Sequence, residues 1–141
     1  MKRMILIGRS ESGKSTLAAA IRQVSLDYRK TQCVDYSSDI IDTPGEYAEI
    51  SRLGGALAVY SCEADVVGFV VSATEPYSLF PPNIVPMATR PVVGIVTKAD
   101  SSFANVPRAS SWLELCGCQK IFVTSSVSRD GLAELLKYLR E

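Results

Sequence analysis

The chain has 141 residues, enough to bury a core without disulfides or a structural metal, and its 47% hydrophobic and 21% charged residues exclude global disorder. Fifteen basic residues balance fifteen acidic ones, so no overall basic charge carries a general affinity for nucleic acid. There is no His, which excludes a His general base, a Ser-His-Asp triad and any His-containing metal site. The longest apolar stretch, Val66 to Ala73, is far short of the roughly 20 residues a membrane helix needs. The apolar run after Met1-Lys-Arg stops at Gly8, too soon for an export signal. The expectation is one cytoplasmic domain over residues 1–141, with Cys33, Cys62, Cys116 and Cys118 as reduced thiols.

In chain order, Met4–Ile7 predicts a short buried strand that ends in the loop Gly8–Gly13. Lys14–Val24 predicts a helix with Leu17, Ala18, Ile21 and Val24 on one face. Gln32–Tyr36 and Asp39–Asp42 are short candidate strands, and Thr43-Pro44-Gly45 breaks the pattern. Ile50–Cys62 reads as a helix weakened by Gly54-Gly55. Val66–Ser72 and Val92–Val96 are buried strands, joined by a proline-rich segment in which only Asn83–Thr89 can form a turn or two. Val106–Leu115 predicts a helix with Trp112 and Leu115 on its apolar side, Ile121–Thr124 a last strand, and Asp130 the cap of a final helix carrying Leu132, Leu135, Leu136 and Leu139. Strands alternating with helices imply an α/β domain with a mostly parallel sheet of five or six strands, whose ligand binds at the carboxyl ends of the strands.

The loop Gly8-Arg-Ser-Glu-Ser-Gly13-Lys14-Ser15 fits G-x-x-x-x-G-K-[ST]. Such a loop turns its amides onto a phosphate, and glycines permit the wrapping. The following helix aims its positive end at the same group. Gly8, Arg9, Ser10, Glu11, Ser12, Gly13, Lys14, Ser15 and Thr16 are the candidate nucleotide contacts. Lys14 can bridge phosphate oxygens, and the Ser15 hydroxyl can ligate Mg²⁺. Asp42, closing an apolar pair, can hold the same ion through a water, and Gly45 can offer its N–H to a γ-phosphate. Thr31, in the polar stretch after the first helix, can give its hydroxyl to the metal.

Thr97-Lys98-Ala99-Asp100 follows a strand, as a base-reading loop must. Asp100 can accept hydrogen bonds from guanine N1–H and the exocyclic amine, which adenine lacks at that edge. The Lys98 stem can lie over the base, and Thr124-Ser125-Ser126 can support it from the other side.

These motifs, in this order, resemble the small Ras-like and Era-like P-loop GTPases, which implies a three-layer P-loop NTPase fold. Lys30-Thr-Gln-Cys-Val-Asp-Tyr36, Ile41-Asp-Thr-Pro-Gly-Glu-Tyr47 and the Met1-Lys-Arg start are similar to the EutP/PduV family of ethanolamine and propanediol utilisation. Ser61-Cys-Glu-Ala-Asp-Val66 and the stretch Arg90 to Asp100 look closer to the PduV branch. The resemblance implies a nucleotide-binding accessory protein of a bacterial microcompartment, using GTP or GDP (ATP as the alternative) with Mg²⁺. Its implied partner is a shell or cytoskeletal protein, with no nucleic acid and no membrane.

Asp42 follows Lys14 by only 28 residues, so the switch I and interswitch region is short. Thr97 stands where most such GTPases carry Asn, Glu46 stands where Ras-like enzymes have a water-orienting Gln, and Ser10 replaces a Gly. These departures predict slow hydrolysis, with Lys14, Thr31 and Glu46 as the catalytic candidates. The alternatives are a small ATP-dependent kinase acting on a short-chain carboxylate, and a non-hydrolysing shell-binding module whose contact surface is the proline-rich segment with Tyr77, Leu79, Phe80 and Ile84.

Overall fold

The computed structural model describes residues 2–8, 13–32, 40–42, 64–78, 80 and 82–140; for residues 24–32, 40–42 and 87 it describes the backbone alone. Among these residues five parallel strands form one sheet: β1 (Met4–Gly8), β2 (Ile40–Asp42), β3 (Val66–Ser72), β4 (Val92–Thr97) and β5 (Ile121–Val123), in the order β2-β1-β3-β4-β5. Three helices accompany them: α1 (Lys14–Gln32), α2 (Val106–Cys116) and α3 (Leu132–Arg140).

The strands read as continuous apolar runs because both faces are covered. Met4, Leu6, Val66, Val70, Val93 and Ile95 pack with Leu17, Ala18 and Ile21 of α1 and the four leucines of α3. Ile5, Ile7, Val67, Phe69, Val71 and Val96 point the other way, onto Ala109, Leu113 and Cys116 of α2. Successive strand residues thus feed two cores, which is the side-chain alternation of a pleated strand. Gly94 belongs to this packing: a methyl there would lie 2.8 Å from Leu113 Cδ1.

Several expectations are corrected. Helix α1 runs to Gln32 rather than Val24. Among the described side chains of α1, Leu17, Ala18 and Ile21 are buried in the sheet-side core, and the polar sequence that follows has no Gly or Pro to stop a helix. Gln32 therefore closes a helix rather than opening a strand; the rest of that strand candidate, and the Ile50–Cys62 helix, lie outside the described residues. In α2 the buried stripe is Ala109, Leu113 and Cys116, spaced four and three apart, and Leu115 is 59% exposed. Trp112 is half-buried, with the Arg108 guanidinium 5.1 Å over its ring. Helix α3 begins at Leu132, after Gly131 at φ +78°, and the Asp130 carboxylate accepts the Ser128 hydroxyl at 3.0 Å.

The proline-rich segment packs on the sheet. Phe80 stacks on Phe69 with ring centroids 4.5 Å apart, and Phe80 and Ile84 are both buried in the α2-side core. A single 3-10 turn, Val85–Met87, forms around Pro86. Tyr77 remains exposed, and Leu79 lies outside the described residues. Two of the four side chains considered for partner contact are thus spent on the chain's own core.

Candidate nucleotide site

The chain crosses from β1 out to β2, then returns to place β3 on the other side of β1. The strand order therefore reverses between β1 and β3, and the crevice beyond their carboxyl ends is where ligands of open α/β sheets bind. Gly8 ends β1 at that crevice, and Gly13 stands at φ +91° just before Lys14 opens α1. A left-handed φ is adopted without strain by glycine, so the residue type and the turn agree.

The Leu17 amide bonds the Gly13 carbonyl at 2.8 Å, which starts the helical ladder. The amides ahead of Leu17 have no intrahelical acceptor and point out of the helix end, the arrangement that receives anions. Lys14 is only 4% exposed, whereas Ser15 and Thr16 on the same first turn are exposed. A buried lysine at a helix amino-terminus suits a phosphate, and an exposed hydroxyl next to it suits a hydrated cation. The backbone of Asp42 ends β2 opposite Leu6 of β1, on the same edge of the sheet. The residues present therefore fit a Mg²⁺-bound phosphate group.

The base-loop candidates come to the same edge. Thr97 ends β4, 2% exposed, opposite Ser72 of β3. A methyl at Gly13 would lie 3.4 Å from the Thr97 hydroxyl oxygen and 3.7 Å from Lys98 Cε. Gly13, the end of the candidate phosphate loop, is thus packed directly on Thr97 and Lys98, the start of the candidate base loop. Lys98 adopts φ +58°, a left-handed conformation costly for a residue with a Cβ, which turns the chain off the strand. Asp100 is exposed in the turn that follows.

The β5 loop is tied in by main-chain bonds. The Thr124 amide donates to Val96 O at 2.7 Å, its hydroxyl to the same oxygen at 2.9 Å, and the Ala99 amide donates to Thr124 O at 3.2 Å. Ser125 is buried, its amide donates to Asp130 O at 3.0 Å, and its hydroxyl oxygen accepts the Ser128 amide at 3.3 Å. Ser126 is half-buried beside it.

One candidate is not brought to the site. Thr31 lies in the last turn of α1. At 1.5 Å per residue that is about 25 Å along the helix axis from Lys14. The expectation of a Thr31 metal ligand assumed that the helix stopped at Val24, and its extension carries Thr31 to the other end of the molecule. Arg9, Ser10, Glu11, Ser12, Gly45 and Glu46 lie outside the described residues. Sequence reasoning overlooked Gly131, where a Cβ would run into the Val123 carbonyl oxygen, although the Asp130-Gly131 pair is a turn signal. Cys116 and Cys118 are free and buried; burial pushes the Cys116 thiol up to about 11 and the Cys118 thiol up to about 12, with Cys116 adding to the latter. Among the described residues no helix is long and apolar enough to cross a membrane, and no His, Cys, Asp and Glu cluster could hold a metal by itself.

Comparison with known proteins agrees with this geometry. In fold, the chain is similar to the FeoB G-domain of Methanococcus jannaschii, at a TM-score of 0.66 and 18% identity, covering 99% of this chain and 95% of that one. It is also similar to a variant of Aquifex aeolicus Era bound to GDP and aluminium fluoride, at a TM-score of 0.62 and 18% identity, over 98% of this chain and 55% of that one. The fold is therefore that of the P-loop GTPases. In sequence it is 43% identical to the propanediol utilization protein PduV of Citrobacter freundii, over 99% of this chain and 93% of the relative. It is 30% identical to the probable acetate kinase EutP of Salmonella typhimurium, over 99% of this chain and 89% of that one. The family described as "PduV-EutP: Ethanolamine utilisation - propanediol utilisation" matches residues 1–141, and the chain belongs to that family.

Proposed function

We propose that this protein binds guanine nucleotide with Mg²⁺ and hydrolyses GTP slowly, as a switch within propanediol or ethanolamine utilisation. The observation that carries the reading is the packing of Gly13 on Thr97 and Lys98, which couples a phosphate loop to a base loop at the sheet's switch point. Lys14 would hold the β- and γ-phosphates, with the amides at the start of α1 around them. Ser15, with Asp42 at the end of the adjacent strand, would hold Mg²⁺, which neutralises charge developing on the phosphates. Lys98 would cover the base and Asp100 would pair with guanine N1–H and the exocyclic amine, with Ser125 and Ser126 behind it. Glu46 brings a second negative charge toward the phosphates where a neutral amide would orient water, so turnover is slow. The partner read by the GTP-bound form would be a shell or cytoskeletal protein, which places the switch in the cytoplasm at a microcompartment.

A second reading is transfer of the γ-phosphoryl group from ATP to a short carboxylate, giving ADP and an acyl phosphate. What supports it is the 30% identity to the probable acetate kinase. Calorimetric titration of nucleotide-free protein with GTP, GDP and ATP, each with Mg²⁺, separates the two. Preference for guanine nucleotides is the expected result. Equal or tighter ATP binding, together with acyl phosphate formed from acetate or propionate, would replace the first reading with the second.

A further inference from the structure

From β3 the chain adds β4 and then β5 in one direction, so the right-handed crossovers after β3 and after β4 lie side by side on one face of the sheet. α2 fills the second crossover. Parallel strands are usually joined by a helix, but the first crossover, residues 73–91, carries Pro76, Pro82 and Pro86 and forms only the 3-10 turn Val85–Met87 among its described residues. The flank of α2 that a neighbouring helix would cover is met by this segment instead. Arg108 Nη2 donates to Glu75 O at 2.7 Å in the first turn of α2, and the Asn83 amide donates to Leu115 O at 2.9 Å in the last.

That flank stays partly open. Arg108, Trp112 and Leu115, four and three positions apart, form one stripe along about 10 Å of the helix. Each precedes a residue of the buried stripe Ala109, Leu113 and Cys116, and so lies about 100° round the axis from it. Trp112 is half-buried and Leu115 is 59% exposed. Tyr77, two residues beyond Glu75, is 53% exposed, and Phe103, two residues before the Asn105 cap, is 84% exposed. Of the five exposed large apolar side chains among the described residues, three therefore belong to α2 or to the segments that adjoin it. Apolar residues scattered singly over a surface need no explanation. A tryptophan, a tyrosine and an arginine close together are the residue types that dominate binding at protein interfaces.

Charge indicates what fits there. α2 has no acid in its first turn, where the helix dipole favours one, and carries Arg108 there instead. The guanidinium lies 5.1 Å over the Trp112 ring, its bond to Glu75 goes to the main chain, and the residue is exposed. A guanidinium held flat in this way offers a planar fork to a carboxylate. Helix dipole and side chain have the same sign, so both attract an acidic group.

We infer that this flank of α2 docks an amphipathic helix of another protein, with an acidic side chain on Arg108 and aliphatic side chains on Trp112 and Leu115. The docked helix would stand beside α2 where a crossover helix ordinarily stands. Tyr77 and Phe103 would border it. The surface includes none of the candidate nucleotide contacts, so it serves a partner whether or not nucleotide is bound.

The test begins with a displayed library of alanine-based helices of about 16 residues, randomised along one face and at its borders, selected on the full chain. Amide NMR of the isotope-labelled full chain with the enriched peptides then locates the contact. Expected are peptides with aliphatic residues at i, i+4 and i+7 and an Asp or Glu one turn away, dissociation constants of about 1–100 μM, and shifts centred on Arg108, the Trp112 indole and Leu115. Arg108→Gln should weaken binding about tenfold, and so should replacing the peptide's acid by its amide, while both changes together should cost little more than one. Leu115→Lys should cost about tenfold or more, and Lys137→Gln on α3 nothing. No enrichment, enriched peptides that shift residues elsewhere, equal binding of acid and amide peptides, or full binding by Leu115→Lys in a protein whose spectrum shows it folded, would each overturn the inference. Self-association of the chain in sedimentation, abolished by Leu115→Lys, would give this face to a second copy and overturn it as well.

Discussion

The two ends of strand β4 solve different problems with different means. At the carboxyl end, Thr97 is buried, Lys98 takes a left-handed turn, and the main chain of Thr124 is bonded to Val96 and Ala99. That end is built mainly from backbone amides, glycines and hydroxyls, with Lys14 and Glu75 as the buried charged residues among those described. At the amino end, two long cationic side chains, Lys2 and Lys120, meet on one tyrosine ring. Backbone geometry fixes positions finely and tolerates few substitutions. Side-chain charge positions a ligand more loosely and can be removed without harm to the fold. The difference predicts that changes to the backbone geometry of the carboxyl end will cost stability, and that removing an exposed cation at the amino end will leave the fold intact.

The sharpest way to break this contrast is Lys14→Ala. Nucleotide affinity should fall by about a thousandfold, an effect of about 4 kcal/mol, while the protein stays folded. Calorimetry on the variant checks it, and unchanged Mg²⁺-nucleotide affinity would remove Lys14 from the site. Next is Gly131→Ala, where a Cβ meets the Val123 carbonyl at φ +78°. Strain plus collision should cost about 3 kcal/mol, read as a lower denaturant midpoint. Asp100→Ala should leave GTP binding weaker and reduce discrimination against ATP by about a hundredfold, measured as the ratio of the two dissociation constants. A retained ratio would mean that the loop does not read the base.

Smaller effects sharpen the picture. Gly94→Ala meets a side chain rather than backbone, and Leu113 can shift, so about 1–2 kcal/mol of destabilisation is expected in the same unfolding experiment. The buried thiols give a pH dependence. Their folded pKa values, about 11 and about 12, lie above the ordinary value of 9.0, so the folded state favours the neutral form. Their contribution is complete below pH 9.0 and is lost as pH rises from there toward 11 and 12, because the unfolded chain releases its protons first. Midpoints measured across that range should fall, and more steeply than in a Cys116→Ala, Cys118→Ala variant. At pH 8 both thiols should react with an alkylating reagent about a hundredfold more slowly in the folded protein than after unfolding.

Much of the fold was legible because local pattern and tertiary role agree. Val66–Ser72 is apolar throughout since both faces are covered, and the two cores take alternate residues of it. The motif Gly8 to Ser15 was legible because a phosphate loop needs its glycines, lysine and hydroxyl at fixed offsets, and the order of motifs carried the family. Where reasoning failed, a local signal was read as a boundary. The loss of apolar spacing after Val24 does not mark the end of α1, which runs on to Gln32, and that error put Thr31 at the wrong end of the helix. Leu115 looked like core by composition, but the packing direction of α2 selects Leu113 and Cys116.

Residue order alone thus determined the alternation of strands and helices and pointed to a candidate phosphate loop and a candidate base loop, because each depends on chemistry within a few neighbouring positions. Only the tertiary structure decided that Gly13 rests on Thr97 and Lys98, that Phe80 and Ile84 cover the sheet, and that Lys2 and Lys120 share one tyrosine ring. These contacts join residues more than ten positions apart. Their existence depends on which strands become neighbours and which way each helix faces, and no local window of sequence contains that information.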